Sequence, residues 1–185
     1  MARYTMDMVL EYAKVFPENA DMGDPDGPRA AQAIFQKGGQ YAVNAYFTSE
    51  SQIQELLSDG LDPKPMNNDR ILESTSEYGI GKFMRLKRPF ADDIREDWTD
   101  PVTKEKGVNL GGAPKVVDLT QGRDNRRLWN FEKDGALGNG TKAKVQFETY
   151  SNGAGIRLLN IGITEHVSYE TESSVSEDDE LFMVG

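Results

Sequence analysis

Residues 142–167 read KAKVQFETY-SNGAG-IRLLNIGITEHV, and the fold is inferred outward from this stretch. Apolar and polar side chains alternate in residues 142–150 and again in residues 156–167, which is the pattern of two half-buried strands. The residues between them, 151–155, are of the types that form tight turns. The two strands are therefore predicted to pair as an antiparallel hairpin.

Segments before this hairpin predict further strands and one clear helix. Residues 6–16, which end at Pro17, and the aromatic-rich residues 40–48 are predicted as strands. A helix capped by Ser49 or Ser51 is expected to run to about Ser58, with an apolar face made by Ile53, Leu56 and Leu57.

The remaining segments are more irregular. Residues 80–90 are predicted as another strand, and residues 92–98 as a charged loop or a single helical turn. Residues 29–36 fit either a short helix or an extended arm. About five strands with one or two short helices fit a mainly β protein built as a five-stranded Greek-key barrel, of which the OB-fold is the commonest example. Residues 1–169 are expected to form this nucleic-acid-binding domain.

The composition restricts the classes of protein and site. The chain has 185 residues, of which 37% are hydrophobic and 28% charged, as expected for one soluble domain. No window approaches the roughly 18 apolar residues of a membrane span, and the first residues contain no apolar signal sequence, so we expect a cytoplasmic protein without a membrane partner. The absence of cysteine removes disulfides, thiolate zinc sites and cysteine nucleophiles. His166 is the only histidine and is expected to be structural or exposed, so no catalytic residue, metal site or cofactor is predicted.

The last sixteen residues, 170–185, are expected to form an acidic tail. They carry six carboxylates and no Lys or Arg, so they can contribute little to a core. The acidic run is followed by an apolar end, which is typical of a segment that binds a partner. The predicted partner-binding residues of the tail are Glu177, Asp178, Asp179, Glu180 and Phe182.

The charge is distributed unevenly along the chain. Residues 79–157 contain 15 basic and 11 acidic residues, whereas residues 1–78 contain 6 and 13, and residues 158–185 contain 0 and 7. The formal net charge of −10 therefore hides a basic middle segment. Clustered Lys and Arg side chains are what phosphate binding requires, although a mixed solvated surface would have the same composition.

Two predicted strands of this middle segment place cations beside aromatic rings. In residues 82–88 the alternation predicts that Met84 and Leu86 point into the core and that Phe83 lies on the opposite face. In residues 142–150 it predicts that Ala143 and Val145 point into the core. Exposed rings that stack on bases, with cations along the phosphates, hold single strands without reading their sequence. The candidate binding residues are Lys82, Phe83, Arg85, Lys87, Arg88, Lys142, Lys144 and Tyr150, with Arg126, Arg127 and Trp129 from a third segment.

Three further motifs of the sequence are weaker indications of function. Residues 135–142 resemble a phosphate-binding loop, but a strand is predicted where that loop requires a helix. Residues 24–27 are too short for a calcium-binding loop and predict a turn. The carboxylates between residues 92 and 100 could hold Mg²⁺ in a nuclease, although two-metal sites usually draw ligands from separate elements. They are Asp92, Asp93, Glu96, Asp97 and Asp100.

The C-terminal third resembles the closing hairpin of a known family. The relevant segments are Leu137-Gly-Asn-Gly-Thr-Lys-Ala-Lys-Val-Gln-Phe-Glu-Thr-Tyr150 and Gly155-Ile-Arg-Leu-Leu-Asn-Ile-Gly-Ile-Thr-Glu165. With the acidic tail, they resemble the single-stranded DNA-binding proteins of tailed bacteriophages. A weaker resemblance extends to residues 39–48 and residues 109–118. In that family the aromatic residue of the tail lies at or very near the terminus, whereas three residues follow Phe182 here.

The resemblance implies a non-catalytic protein with one OB-fold that coats single-stranded DNA in the cytoplasm of the host cell. Its expected roles are phage DNA replication, recombination and repair. The tail is expected to compete for the DNA site and to recruit replication proteins such as the polymerase and the helicase-primase. Two alternatives remain at this stage, a Mg²⁺-dependent nuclease and an OB-like adaptor that binds only protein. The sequence also leaves a homodimer open.

Overall fold

The computed structural model describes residues 2–22 and 39–169. Within these ranges the chain forms ten β-strands and two α-helices. In chain order they are β1 Ala2–Lys14, β2 Gln40–Phe47, α1 Glu50–Ser58, β3 Ile71–Glu73, β4 Lys82–Pro89, β5 Ile94–Thr99, β6 Lys106–Asn109, β7 Lys115–Asp118, β8 Arg127–Leu128, α2 Phe131–Asp134, β9 Thr141–Tyr150 and β10 Gly155–Glu165.

Eight of the strands form one sheet in the order β3-β4-β2-β1-β9-β10-β7-β8, and β5 and β6 form a separate two-stranded sheet. Neighbouring strands of the large sheet are antiparallel, except that β7 runs parallel to β10. The predicted hairpin is confirmed, with Tyr150 opposite Gly155 at its turn. The protein is mainly β, as the alternation of side chains predicted.

The structure has more strands than the five predicted, and one local prediction is wrong. Only residues 92–93 of the predicted loop or helical turn lie in a loop, because Ile94–Thr99 forms β5 and pairs with β6. All six residues of β5 are exposed, so its side chains show no apolar alternation for sequence reasoning to detect. The predicted helix or arm at residues 29–36 lies outside the described residues.

The core lies on one face of the large sheet. Alternate residues of the central strands point into it, which confirms the inward direction predicted for Met84, Leu86, Ala143 and Val145. Helix α1 begins after Ser49 and adds two further side chains to the core, but the predicted third residue of its apolar face, Leu57, is exposed. The core residues that these elements contribute include Met8, Leu10, Val43, Ala45, Ile53, Leu56, Phe147, Leu158 and Ile161.

The large sheet curves until β10 contacts β4. No ladder joins these two strands in the described part of the chain, so the sheet is not a closed barrel. The approach is bridged by Arg88 of β4, whose Nη1 donates to the carbonyl oxygen of Leu158 in β10 at 3.1 Å. Among the residues described, no helix is long and apolar enough to cross a membrane.

Candidate nucleic-acid interface

The face of β1, β2 and β4 that points away from the core carries two rows of residues that contain Lys and Arg side chains. In one row Ala42 lies between Lys14 of β1 and Lys87 of β4. In the next row Asn44 lies between Glu11 and Arg85. Because adjacent strands are about 4.8 Å apart, each row spans about 10 Å and presents its long side chains to the same side.

These rows enclose a shallow groove of about 280 Å³. Ala42 has a small side chain and forms part of the floor, while Lys14 and Arg85 stand on either side of it. We call this feature the strand groove. Its lining residues are Tyr12, Lys14, Ala42, Val43, Asn44 and Arg85.

The two cations of the strand groove have no protein partner within residues 2–22 and 39–169. Neither Lys14 nor Arg85 makes an ion pair or a side-chain hydrogen bond there. Lys14 was not predicted from the sequence, whereas three cations that were predicted are paired: Lys82 with Glu50 at 3.3 Å, Lys142 with Glu165 at 3.5 Å, and Lys144 with Asp7 at 2.9 Å. An unpaired cation can bind a phosphate without first giving up a carboxylate, which favours Lys14 and Arg85 as anion ligands.

Tyr12 was missed by the sequence analysis. Its side chain is 65% exposed, and its φ of +50° lies in the left-handed region that residues with a Cβ rarely occupy. The conformation accompanies a register shift in β1 between Glu11 and Lys14, and the Tyr12 N–H donates to Asn139 Oδ1 at 2.8 Å. Such bulges re-aim side chains, and strained backbone at a groove is a reason to suspect function. The sequence feature that could have indicated Tyr12 is the break in the alternation of apolar and polar residues at the end of β1.

Arg88 is nearly buried, which corrects its predicted place at the margin of the binding face, although it also lines a depression beside β4. The residue is 8% exposed, and its guanidinium donates to four backbone carbonyl oxygens. Three belong to the end of β6 and the segment after it: Asn109 at 2.8 Å, Gly111 at 2.7 Å and Gly112 at 2.9 Å. The fourth is Leu158. Burial, with a smaller contribution from the nearby Arg157, lowers the pKa of Arg88. Each of its three nitrogens donates to at least one carbonyl oxygen inside the fold.

The predicted stacking ring Phe83 is half-buried. Its centroid lies 4.8 Å from that of Tyr46, its neighbour across β2 and β4. Tyr46 is fully buried and also packs against Tyr78. Phe83 therefore belongs to a cluster of rings beside the strand groove and does not line the groove itself.

Tyr150 borders a second, larger depression of about 780 Å³, which we call the hairpin cleft. The guanidinium carbon of Arg157 lies 4.6 Å from the centroid of the Tyr150 ring, a cation–π contact. Arg157 also pairs with the nearly buried Glu148 at 2.6 Å. Lys87 lines this cleft and also ends the row that contains Lys14, so the strand groove and the hairpin cleft adjoin at Lys87.

Arg126, Arg127 and Trp129 line neither depression, so the structure does not join them to the other candidates. Arg127 donates two hydrogen bonds of 2.8 Å to Asp134. These bonds raise the pKa of Arg127, and they are the main cause that lowers the pKa of Asp134 to about 2. Trp129 packs against the core and donates from Nε1 to the carbonyl oxygen of Gly135 at 2.9 Å.

The carboxylates of the nuclease alternative have separate local partners. Asp92 accepts from Asn109 Nδ2 at 2.9 Å, and Asp93 pairs with Arg95 at 3.0 Å. Asp100 accepts from the backbone of the following turn, and these bonds lower its pKa. Within the described ranges, no three His, Asp or Glu side chains are close enough together to hold a metal ion. The nuclease remains an untested prediction.

The tail, with its predicted partner-binding residues Glu177, Asp178, Asp179, Glu180 and Phe182, lies outside the described residues. The described chain ends at Tyr169, just after Ser168 forms a bridge with Leu137. The segment that holds Leu137 also contains Asn139, which bonds to Tyr12. Ser168, next to the last described residue, therefore pairs with a segment that also contacts the Tyr12 end of the strand groove.

Comparison with known proteins finds no relative from which a function could be inferred. No model of a known protein family matches the chain, and no curated protein is significantly similar to it in sequence. The contacts and charges described above are therefore the basis for a functional interpretation.

Proposed function

We propose that this protein binds single-stranded DNA, without catalysis and largely independently of base sequence. The observation that carries the proposal is the strand groove, which the unpaired Lys14 and Arg85 line together with the exposed ring of Tyr12. A base stacked on the ring would bring its two flanking phosphates towards the cations. Stacking of this kind contributes about 1–3 kcal/mol per base and tolerates any base, because every base has an aromatic face.

We further propose that five of the strands form the Greek-key barrel of an OB-fold. The five are β1, β2, β4, β9 and β10. Two features support this: β1 pairs with both β2 and β9, and the curved sheet brings β10 against β4 through Arg88. Such barrels bind oligonucleotides on the face of their second and third strands, which correspond to β2 and β4 here, the strands that carry Asn44 and Arg85.

The bound strand is proposed to continue from the strand groove into the hairpin cleft. Lys87 lies at the junction, and the cleft adds Arg95, Tyr150 and Arg157. Arg95 and Arg157 are already paired with carboxylates, so they would contribute less per residue than the cations of the strand groove. The paired Lys82, Lys142 and Lys144 would likewise contribute mainly long-range attraction.

The biological role that fits this activity is the coating of single strands during phage DNA replication, recombination and repair in the host cytoplasm. The acidic tail is proposed to compete with DNA for the groove and to recruit replication proteins such as the polymerase and the helicase-primase. Its six carboxylates complement the unpaired cations in charge.

The test is a salt titration of binding to labelled oligo-dT, followed by fluorescence anisotropy. We expect the affinity to fall steeply with rising salt, because phosphate contacts release counterions. An affinity that does not change between low and moderate salt would overturn the proposal. Parallel titrations with RNA of the same length and with duplex DNA measure selectivity for the single strand. A protein-only adaptor would give no gel shift with any of these probes.

A further inference from the structure

A buried carboxylate lies directly beside the strand groove. Glu11 is 7% exposed and accepts hydrogen bonds from three side chains. These are Tyr46 Oη at 2.8 Å, Ser76 Oγ at 3.2 Å and Asn44 Nδ2 at 3.5 Å. An ionised carboxylate has only acceptor positions, so every neighbouring polar group must turn a donor towards it.

This requirement orients the side-chain amide of Asn44. With Nδ2 directed at Glu11, the carbonyl Oδ1 is the group that remains for other contacts. Asn44 lines the strand groove together with Tyr12 and Arg85, and within residues 2–22 and 39–169 its Oδ1 has no hydrogen-bond donor. The groove that holds an exposed ring and two cations therefore also contains one oriented acceptor.

We propose that Asn44 reads the edge of the bound base, and that its Oδ1 accepts a hydrogen bond from an exocyclic amino group. The proposal rests on the function proposed above and adds a modest preference to it. Among pyrimidines, cytosine carries an amino group at C4 where thymine carries a carbonyl oxygen. The groove is thus expected to prefer cytosine to thymine, although both stack on Tyr12.

Thymine does have one donor, its N3–H, but this donor lies between two carbonyl oxygens that repel an approaching acceptor. The cytosine amino group has an acceptor neighbour on one side only. The negative charge of Glu11, next to Asn44, acts in the same direction because it repels carbonyl oxygens and attracts amino hydrogens. Both effects favour cytosine.

The experiment compares oligo-dC with oligo-dT of equal length on the full-length protein, at slightly alkaline pH so that oligo-dC stays single-stranded. One neutral hydrogen bond corresponds to a preference of about three- to tenfold for oligo-dC. Asn44→Ala should bring the ratio to about one, mainly by weakening the binding of oligo-dC. Gln146→Ala is the matched control, because this amide accepts from Asn160 on β10 and does not line the groove. Its ratio should stay that of the wild type.

A second probe needs no mutation and so does not depend on the folding of the variant. Oligomers of N4,N4-dimethylcytosine keep the ring but have no amino hydrogen, and wild-type protein should bind them no better than oligo-dT. Oligomers of 5-methylcytosine, which carry a methyl group but keep the amino group, should bind like oligo-dC. Equal, strong, salt-dependent binding of oligo-dC and oligo-dT would overturn the role of Asn44 and leave the proposed function standing. Absence of binding to either would overturn both.

Discussion

Arg85 and Arg88 both belong to β4, but their side chains leave the strand on opposite faces. Arg85 points outward and has no partner in the described part of the chain, whereas Arg88 points inward and bonds to four backbone carbonyl oxygens. The same residue type therefore has no protein partner in one position and is held by the fold in the other. The amino-acid composition alone does not distinguish these two arginines.

We expect alanine substitution to separate these two roles. Arg85→Ala should weaken binding to oligo-dT and reduce the slope of log affinity against log salt by about 1, because one phosphate contact is lost. Its free energy of unfolding should stay within about 0.5 kcal/mol of the wild type. Arg88→Ala should lower the free energy of unfolding by about 3 kcal/mol, since it leaves buried carbonyl oxygens unpaired.

Urea unfolding and anisotropy titrations on the same preparations measure both quantities. Lys82→Ala is the matched control for Arg85→Ala, because this cation lies on the same strand but is already paired with Glu50. A salt slope that falls equally in both variants would contradict the special role of the unpaired cation. An Arg88→Ala protein as stable as the wild type would contradict the bridging role of Arg88.

Tyr12 provides a second prediction at the residue scale. Tyr12→Ala should weaken oligo-dT binding by about 1–3 kcal/mol through the loss of one stacked base. Tyr12→Phe keeps the ring and should bind nearly as well as the wild type. Anisotropy at one fixed salt concentration compares the three proteins. Equal losses for alanine and phenylalanine would mean that the ring does not stack and that only the hydroxyl matters.

At the scale of the element, the turn of the β9–β10 hairpin is held by a distant segment. The connection after α1 donates from Asp62 N to the carbonyl oxygen of Gly153 at 2.9 Å, and from Arg70 Nη2 to that of Ala154 at 2.7 Å. Gly153 has a φ of +88°, and a Cβ there would collide with the backbone oxygen of Gly60. The turn that borders the hairpin cleft thus depends on a close approach of two backbones.

Gly153→Ala is therefore expected to destabilise the fold by more than its backbone conformation alone would require. The matched control is Gly122→Ala, because Gly122 has a similar φ of +90° but open space around the position of a Cβ. The control should lose about 1 kcal/mol of unfolding free energy from backbone strain. Gly153→Ala should lose about 3 kcal/mol or more, because a backbone segment must also move. Equal losses in urea unfolding would argue against the tight contact.

The elements differ in how far the sequence predicted them. The strands β1, β9 and β10 and the helix α1 were predicted because one face of each packs against the core, which imposes a regular spacing on apolar residues. β2, which is buried on both faces, was predicted from its aromatic and β-preferring residues. β5 was missed because neither of its faces is buried. The pairing of β7 with β10 was not predicted either, because parallel neighbours depend on how distant segments meet.

At the scale of the whole molecule, the formal net charge of −10 coexists with a groove whose two cations lack carboxylate partners among the described residues. The carboxylates of residues 170–185 contribute six of the negative charges. A groove that attracts phosphates also attracts these carboxylates, so tail and DNA are expected to exclude one another.

A chain that ends at Tyr169 should therefore bind oligo-dT more tightly than the full-length protein at low salt. The difference should shrink as salt is added, because screening weakens the contact between tail and groove. The truncated protein should also lose recruitment of replication proteins. A full-length variant with Glu177, Asp178, Asp179 and Glu180 changed to their amides separates charge from length and should behave like the truncation. Unchanged affinity at low salt in both would remove the competing role of the tail.

The sequence by itself determined the mainly β class, the closing hairpin and the direction of the core-facing residues on β4 and β9. These features follow from the spacing of apolar residues within a single strand, which is a local property. Only the tertiary structure decided which cations are available. Lys144 is neutralised by Asp7, and Arg88 is buried by carbonyl groups far away in the chain, whereas Lys14, Tyr12 and Arg85 meet across three strands. Whether a charged side chain is available for a ligand depends on the residues close to it in space. The alternation of residues along one strand does not determine which residues those are.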